Sequence, residues 1–323
     1  MNKSSNPSEY ILGIDVGGTK ILSVLMSSSL DTKIRRQIVT PKGNRAVSEA
    51  ILGLLDDMLH EARSLGIESR GIAVSAPGFI DALNGVMVDA SNLEVEKLGI
   101  KDILVNYFKL PVQVYHDVQS ATLGEARHGA GIGHRNFAFL NLGTGVSVGL
   151  FLDGKLYHGA NNIAGELGNI CMRPSTPGRD PRPEDRLEAL ASGPALVLRA
   201  VDALNKGERS RIIELSNGQT NLITPQIIGR AARLGDTLAL QIIEETTHIL
   251  GVAVATMVDL LDLECIIVGG GVALVGDILL DPLQDAVDRH AIQYYRKPAQ
   301  IIASALGENA GVIGVVSSYF LGV

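Results

Sequence analysis

The chain has 323 residues, of which 46% are hydrophobic and 20% charged, with 36 glycines and a formal net charge of -7. That length fits about two domains at ~150 residues each, and the hydrophobic share excludes a disordered chain. The acidic balance, with no basic stripe, speaks against a nucleic-acid partner. The polar lead Met1–Ser8 lacks the apolar core of a signal peptide. The longest apolar run, Ile249–Leu261, is short for a bilayer and carries Asp259. The expectation is a cytoplasmic protein with no membrane partner. Two cysteines, Cys171 and Cys265, give neither a disulfide framework nor enough thiolates for a cysteine-based zinc site. A mean hydropathy of +0.22 leaves apolar surface to spare, which points to a homodimer or a higher homo-oligomer.

Along the chain, Tyr10–Asp15 is an apolar run, Val16-Gly17-Gly18 a turn, and Ile21–Met26 a second run: strand, glycine turn, strand. Ala46–Leu65 has helical periodicity. Gly71–Ser75 and Val112–His116 read as buried strands, and Asp117 precedes a helix over Gln119–Arg127. The opening pattern returns at Phe137–Asn141, Leu142-Gly143-Thr144-Gly145 and Val146–Leu152, an internal repeat that suggests two similar halves. Arg173–Arg186, dense in Pro, Arg and Asp, reads as a surface loop. Thr237–Leu261 reads as a long helix, and Cys265–Val268 as a strand running into Gly269-Gly270-Gly271. Ile301–Ala305 is a last strand, and Gly307–Phe320 a closing helix with small residues on one face. Strands alternating with helices mean an α/β fold.

The turns carry the chemistry. Glycines let backbone N–H groups approach phosphate oxygens with no Cβ in the way. In Asp15-Val16-Gly17-Gly18-Thr19-Lys20, Thr19 offers a hydroxyl, Lys20 a charge, and Asp15 a hard oxygen ligand suited to hydrated Mg²⁺. Gly13 to Gly18 has Walker A spacing, but Thr19-Lys20 reverses the required order and a strand follows in place of a helix. An ordinary hairpin would account for one such turn. Gly143-Thr144-Gly145 offers the same donors from the other half, so the two together could hold one polyphosphate. Gly269-Gly270-Gly271, after a wholly apolar strand, could lie against a nucleotide base or ribose, and it fails the Gly-x-Gly-x-x-Gly spacing of dinucleotide binders. Asp117, between an apolar strand and a helix, could be a general base or simply a helix N-cap.

With these segments, the chain resembles the ROK family from Ile11 to Val316. The carriers are Asp15-Val16-Gly17-Gly18-Thr19-Lys20, Ser75-Ala76-Pro77-Gly78-Phe79-Ile80-Asp81 and His116-Asp117-Val118-Gln119-Ser120-Ala121, then Leu142-Gly143-Thr144-Gly145. Asp153-Gly154-Lys155-Leu156-Tyr157-His158-Gly159-Ala160, Ala164-Gly165-Glu166-Leu167-Gly168 and Leu187-Glu188-Ala189-Leu190-Ala191-Ser192-Gly193 complete the set. The resemblance implies a two-domain actin/hexokinase-like (ribonuclease H-like) fold, divided as 1–117 plus 307–323 and 118–306 with a cleft between. It also implies an ATP-dependent sugar kinase, glucokinase-like, acting on a hexose or hexose derivative with Mg²⁺ and ATP. Asp117 would then be the catalytic base, and Gly78, Asn92, His116, Glu166, Asn169 and Glu188 would contact the sugar. ROK repressors carry a DNA-binding winged helix ahead of the Asp-x-Gly-Gly-Thr-Lys segment; nine residues precede Tyr10 here, too few for one.

Two departures from the family pattern stand out. His116 and Gln119 occupy positions where the family usually has Asn, and Asn169 replaces a His that precedes a zinc-binding cysteine cluster. No zinc is therefore expected, and the loop Arg173–Arg186 would be held by proline stiffness and Arg–Asp pairs. The phosphate side keeps the pattern while the sugar side departs from it. That leaves two alternatives open: a kinase for an N-acylhexosamine or other non-glucose sugar, and a non-catalytic sugar-responsive regulator.

Overall fold

The computed structural model describes residues 9–173, 180, 182–292 and 298–322. The polar lead and residues 174–179 and 181 of the Pro/Arg/Asp-rich loop lie outside the described residues. The chain divides into two compact units: Met1–Gly129 with His158–Ile163 and Asn309–Val323, and Ala130–Tyr157 with Ala164–Glu308.

Unit 1 opens with β1 (Tyr10–Val16), β2 (Lys20–Ser27) and β3 (Thr32–Val39), followed by α1 (Asn44–Ser64) and β4 (Ser69–Ala76). Short strands β5 (Phe79–Asp81), β6 (Val86–Ala90) and β7 (Val95–Leu98) precede α2 (Ile100–Phe108), β8 (Val112–His116) and α3 (Asp117–His128). The main sheet runs β3-β2-β1-β4-β8, with β1, β2 and β3 antiparallel and β1, β4 and β8 parallel. A separate antiparallel sheet, β5-β6-β7, stands beside it. Helix α1 forms because Val47, Ile51, Leu54, Leu55, Met58, Leu59 and Ala62 recur at helical spacing; all are buried against the sheet. Burying each Leu, Ile, Val or Met side chain contributes roughly 1.5–3 kcal/mol.

Unit 2 repeats the plan. Its strands are β9 (Phe137–Leu142), β10 (Val146–Leu152), β11 (Lys155–Tyr157), β12 (Cys265–Gly269) and β13 (Gln300–Ala303), in the order β11-β10-β9-β12-β13. Again the first three are antiparallel, while β9, β12 and β13 are parallel. The repeated strand–glycine-turn–strand segments are thus the same two central strands of two sheets of like topology. Helices α4 (Leu187–Ala191), α5 (Gly193–Asn205), α6 (Arg211–Leu215), α7 (Pro225–Arg233), α8 (Thr237–Leu261) and α9 (Asp277–His290) complete the unit. Asp236 caps α8 by accepting from Ala239 N–H at 2.9 Å. α8 is long and apolar enough by composition to cross a membrane, yet 61% of its most apolar window is buried in this unit's core.

The chain then returns to unit 1 in α10 (Ala310–Leu321). Val312, Val315 and Val316 of α10 cover Ile11, Leu22, Val24 and Ala73 on one face of the main sheet. α10 also lies backbone-close to α3: a Cβ on Gly314 would come within 1.7 Å of Ser120 O, and one on Gly124 within 2.6 Å of Ala310 O. The small-residue face read from the sequence is this helix contact.

Candidate active site

In unit 1, Asp15 stands near the end of β1, directly opposite Ser75 of β4 in the parallel register. Ser75 Oγ donates to Asp15 Oδ1 at 2.8 Å. Across from them, a Cβ on Gly311 would meet the Asp15 carboxyl at 2.6 Å, so glycine at the start of α10 makes room for it. Burial pushes the Asp15 carboxyl up to about 6; the Ser75 hydrogen bond and Lys20 oppose the rise, and the Asp117 charge adds to it. The turn after Asp15 is pinned from below. Gly17 N–H donates to Lys20 O at 2.9 Å, Thr40 Oγ1 donates to Gly17 O at 2.7 Å, and Thr40 N–H donates to Thr19 O at 3.1 Å. Thr19 is exposed, while Gly17, Gly18 and Lys20 are half-buried.

Asp117 begins α3. Its Oδ1 accepts Val118 N–H at 2.6 Å and lies 3.3 Å from His116 Nδ1. Two residues on, the buried Gln119 amide holds the segment His158–Ile163. His158 Nδ1 lies 2.8 Å from Gln119 Oε1, and Gln119 Nε2 donates to Asn162 Oδ1 at 3.3 Å. Gly78 has φ +83, and a Cβ there would sit 2.0 Å from Asp89 O; its glycine is thus required by the small sheet itself. Asn92 is exposed and its main-chain oxygen accepts from Lys42 Nζ. A shallow recess of about 410 Å³, lined by Phe79, Leu83, Val88, Asn162 and Ile163 among others, opens next to the Gly78 turn.

In unit 2 the second hairpin is closed by Gly143 N–H donating to Gly145 O at 3.0 Å, and the first residue of α5 seats on it through Gly193 N–H to Gly143 O at 2.9 Å. A Cβ on Gly143 or on Gly271 would meet nothing within 4 Å, so bare backbone faces open space there. Gly270 differs: with φ +85 and Leu142 O 2.4 Å from a Cβ, it lets the end of β12 close on β9. Thr144 is exposed on the turn, and Gly269 ends β12 against the Phe139 ring.

Glu188, expected at the sugar, touches the hairpin: its Oε2 accepts Val146 N–H at 3.0 Å, and a Cβ on Gly145 would come within 2.5 Å of it. Glu166 accepts from Asn169 Nδ2 at 2.9 Å, and Asn169 Oδ1 in turn accepts from Arg186 Nη1 at 2.9 Å. A Cβ on Gly168, between them, would lie 3.3 Å from the Glu188 Cβ. Glu166, Asn169 and Glu188 therefore converge within this unit, whereas the roles expected of them concern a ligand. At the flank of the loop, Arg182 Nε donates to Asp185 Oδ2 at 3.1 Å and Arg173 Nη1 lies 3.7 Å from Asp185 Oδ1. The Arg182 hydrogen bond holds the Asp185 carboxyl below its usual range. Cys171 Sγ donates to Arg173 O at 2.8 Å.

Ser75, Gly311, His158 and Asn162 escaped the sequence reading as site residues. Ser75 ends an apolar strand ahead of Ala76-Pro77-Gly78, a signal that placed it in a motif without revealing its partner. The donor chemistry fits a hydrated Mg²⁺ at Asp15, since one carboxylate plus phosphate oxygens and waters is the usual arrangement for this ion. Desolvation already penalises the negative charge there, a cost that a cation would relieve. For zinc the fit fails: among the described residues, no three His, Cys, Asp or Glu side chains cluster to hold a metal.

Residues 11–318 match the ROK family model. The glucokinase of Halalkalibacterium halodurans is 32% identical over 310 residues, spanning 94% of this chain and 93% of that one. The ROK family glucokinase from Streptomyces griseus, solved in complex with glucose and AMPPNP, is 30% identical with a TM-score of 0.83, covering 95% of this chain and 98% of that chain. A ROK family transcriptional regulator, a homologue of the E. coli MLC protein, shares the fold at a TM-score of 0.85 and 22% identity, covering 97% of this chain and 78% of that one. The two like-ordered sheets are thus the halves of an actin/hexokinase-like α/β fold. With a match that spans residues 11–318, from β1 into α10 and across both glycine hairpins and the Asp117 helix start, the chain belongs to the ROK family.

Proposed function

We propose that this chain is an ATP-dependent carbohydrate kinase that phosphorylates a hydroxyl of glucose or a glucose-type hexose. The observation that carries the reading lies in unit 1, where two carboxylates of different character stand close enough to feel each other's charge. Asp15 is desolvated and held by Ser75, whereas Asp117 sits at a helix start with Oδ1 engaged and Oδ2 making no hydrogen bond among the described residues. Asp117 takes the proton of the acceptor hydroxyl as its oxygen attacks the γ-phosphorus; the bond from that phosphorus to the bridging oxygen breaks, and ADP leaves. The turns Gly17–Lys20 and Gly143–Gly145 meet the phosphates with the backbone N–H groups that the Gly17 and Gly143 turn bonds leave over, and Gly269–Gly271 lies against the nucleoside. When bound, Mg²⁺ neutralises charge on the phosphate oxygens. Glu166, Asn169, Glu188, His116, Asn92 and Gly78 belong to the sugar side. A cytoplasmic homo-oligomer completes the reading, supported by exposed apolar side chains such as Leu83, Ile132 and Leu260.

The recess beside Gly78 favours a second substrate, a hexose bearing an N-acyl or similar substituent. A coupled ADP-release assay over glucose, mannose, N-acetylglucosamine and N-acetylmannosamine, with and without Mg²⁺, separates the readings. Mg²⁺-dependent turnover of glucose is expected. Sugar binding by calorimetry with no ADP release for any sugar would overturn the kinase in favour of a regulator.

A further inference from the structure

Among the described residues, His116 Nδ1 is the one buried side-chain nitrogen or oxygen without a hydrogen-bond partner. A native structure leaves few such atoms, because an unsatisfied buried polar group is costly. Its surroundings are fixed. His116 pairs with Ala76 across β8 and β4, and its carbonyl accepts from Ser120 Oγ at 3.0 Å, so its backbone is held on both sides. The side chain is 12% exposed, and Nδ1 lies 3.3 Å from Asp117 Oδ1. A bare nitrogen lone pair facing a carboxylate oxygen would be repelled, so this placement favours the tautomer with its hydrogen on Nδ1. Val118 N–H already holds the same Oδ1 at 2.6 Å. Catalytic hydrogen bonds are commonly long or misaligned before substrate binds and tighten in the complex.

We propose that His116 is a positioning residue for Asp117. In the substrate complex its Nδ1–H joins the Val118 N–H on Oδ1, which leaves Oδ2 as the oxygen that meets the acceptor hydroxyl. The proposal rests on Asp117 being the base and changes the part given to His116 from sugar contact to alignment of the carboxylate.

The test compares His116→Leu, His116→Asn and Asp117→Asn in the full-length enzyme, measuring kcat, both KM values and the thermal midpoint. Misaligning a catalytic group costs on the order of a hundredfold, so His116→Leu should lower kcat about tenfold to a hundredfold while the sugar and ATP KM values stay within about threefold. Its thermal midpoint should stay close to wild type, because without substrate Nδ1 makes no hydrogen bond for the leucine to remove. His116→Asn places an amide N–H donor near the same position and should bring kcat back to within about fivefold of wild type. A raised sugar KM at unchanged kcat in His116→Leu would overturn the proposal and make His116 a sugar ligand. An Asn variant no better than Leu would overturn it too. Wild-type turnover in Asp117→Asn would instead remove the base itself, whereas an inactive Asp117→Asn beside a fully active His116→Leu would remove only the alignment by His116.

Discussion

Asp15 is kept at a cost to folding. Burial raises its carboxyl from 3.8 to about 6, past what Ser75 and Lys20 can offset. A carboxyl whose folded pKa exceeds its unfolded value binds its proton more tightly when folded. Its contribution to stability is therefore greatest below 3.8 and is lost as pH rises through about 6. In metal-free buffer, Asp15→Asn should match wild type in stability near the acid end and exceed it by ~1–3 kcal/mol at pH 7.5, after allowance for partial exposure. The same variant should lose most of its turnover. Urea unfolding at the two pH values checks the first half; a gap that stays constant with pH would show that the carboxyl is not desolvated as described. Asp15 and Asp117 were legible in the sequence because each is a charged residue closing an apolar run, where packing alone would place neither. Ser75 and Gly311 were not, because their meaning comes from strand register and helix approach, which bring together residues far apart in the chain.

The hairpins differ from the third glycine segment in what glycine does there. At Gly143 a side chain would meet no atom of the protein, whereas at Gly270 it would strike Leu142 and Asn141. Gly143→Val should therefore fold with a thermal midpoint close to wild type, yet raise the KM for ATP by on the order of tenfold or more by blocking approach to the backbone. Steady-state kinetics at saturating sugar measure this; an unchanged KM in the folded variant would remove the phosphates from that turn. Most long elements were readable from periodicity, namely β1, β2, β4, β8, β9, β10, β12, α1, α3, α8 and α10. β3 escaped because its sequence, Thr32–Val39, is rich in Lys and Arg, as suits an edge strand. The sheet β5-β6-β7 and the helices α2, α5, α6, α7 and α9 were missed: the strands and α6 are short, whereas α5, α7 and α9 carry helical periodicity that was there to be read. The Thr224 cap followed by Pro225 was the available signal for α7.

For the molecule as a whole, the described flanks of the Pro/Arg/Asp-rich segment carry side-chain pairs. Asp185 anchors Arg182 and Arg173, and Asn169 is shared between Glu166 and Arg186. The purified protein should contain no stoichiometric zinc, and exhaustive chelation should leave its thermal midpoint unchanged. Tightly held zinc in elemental analysis would contradict this. The two-halves architecture was legible because the glycine hairpin occurs twice; the contribution of His158–Ile163 to unit 1 was not, since a Gln119 amide rather than an apolar pattern ties it there. The placement of α10 bears on how the protein is made. The sheet face formed by Ile11, Leu22, Val24 and Ala73 is translated early, but its cover, Val312, Val315 and Val316, lies beyond the whole sequence of unit 2. A chain emerging from the ribosome therefore carries a greasy, unshielded sheet for most of its synthesis. A nonsense codon ahead of α10 would yield not a weaker enzyme but a sticky fragment, destined for chaperones and proteases.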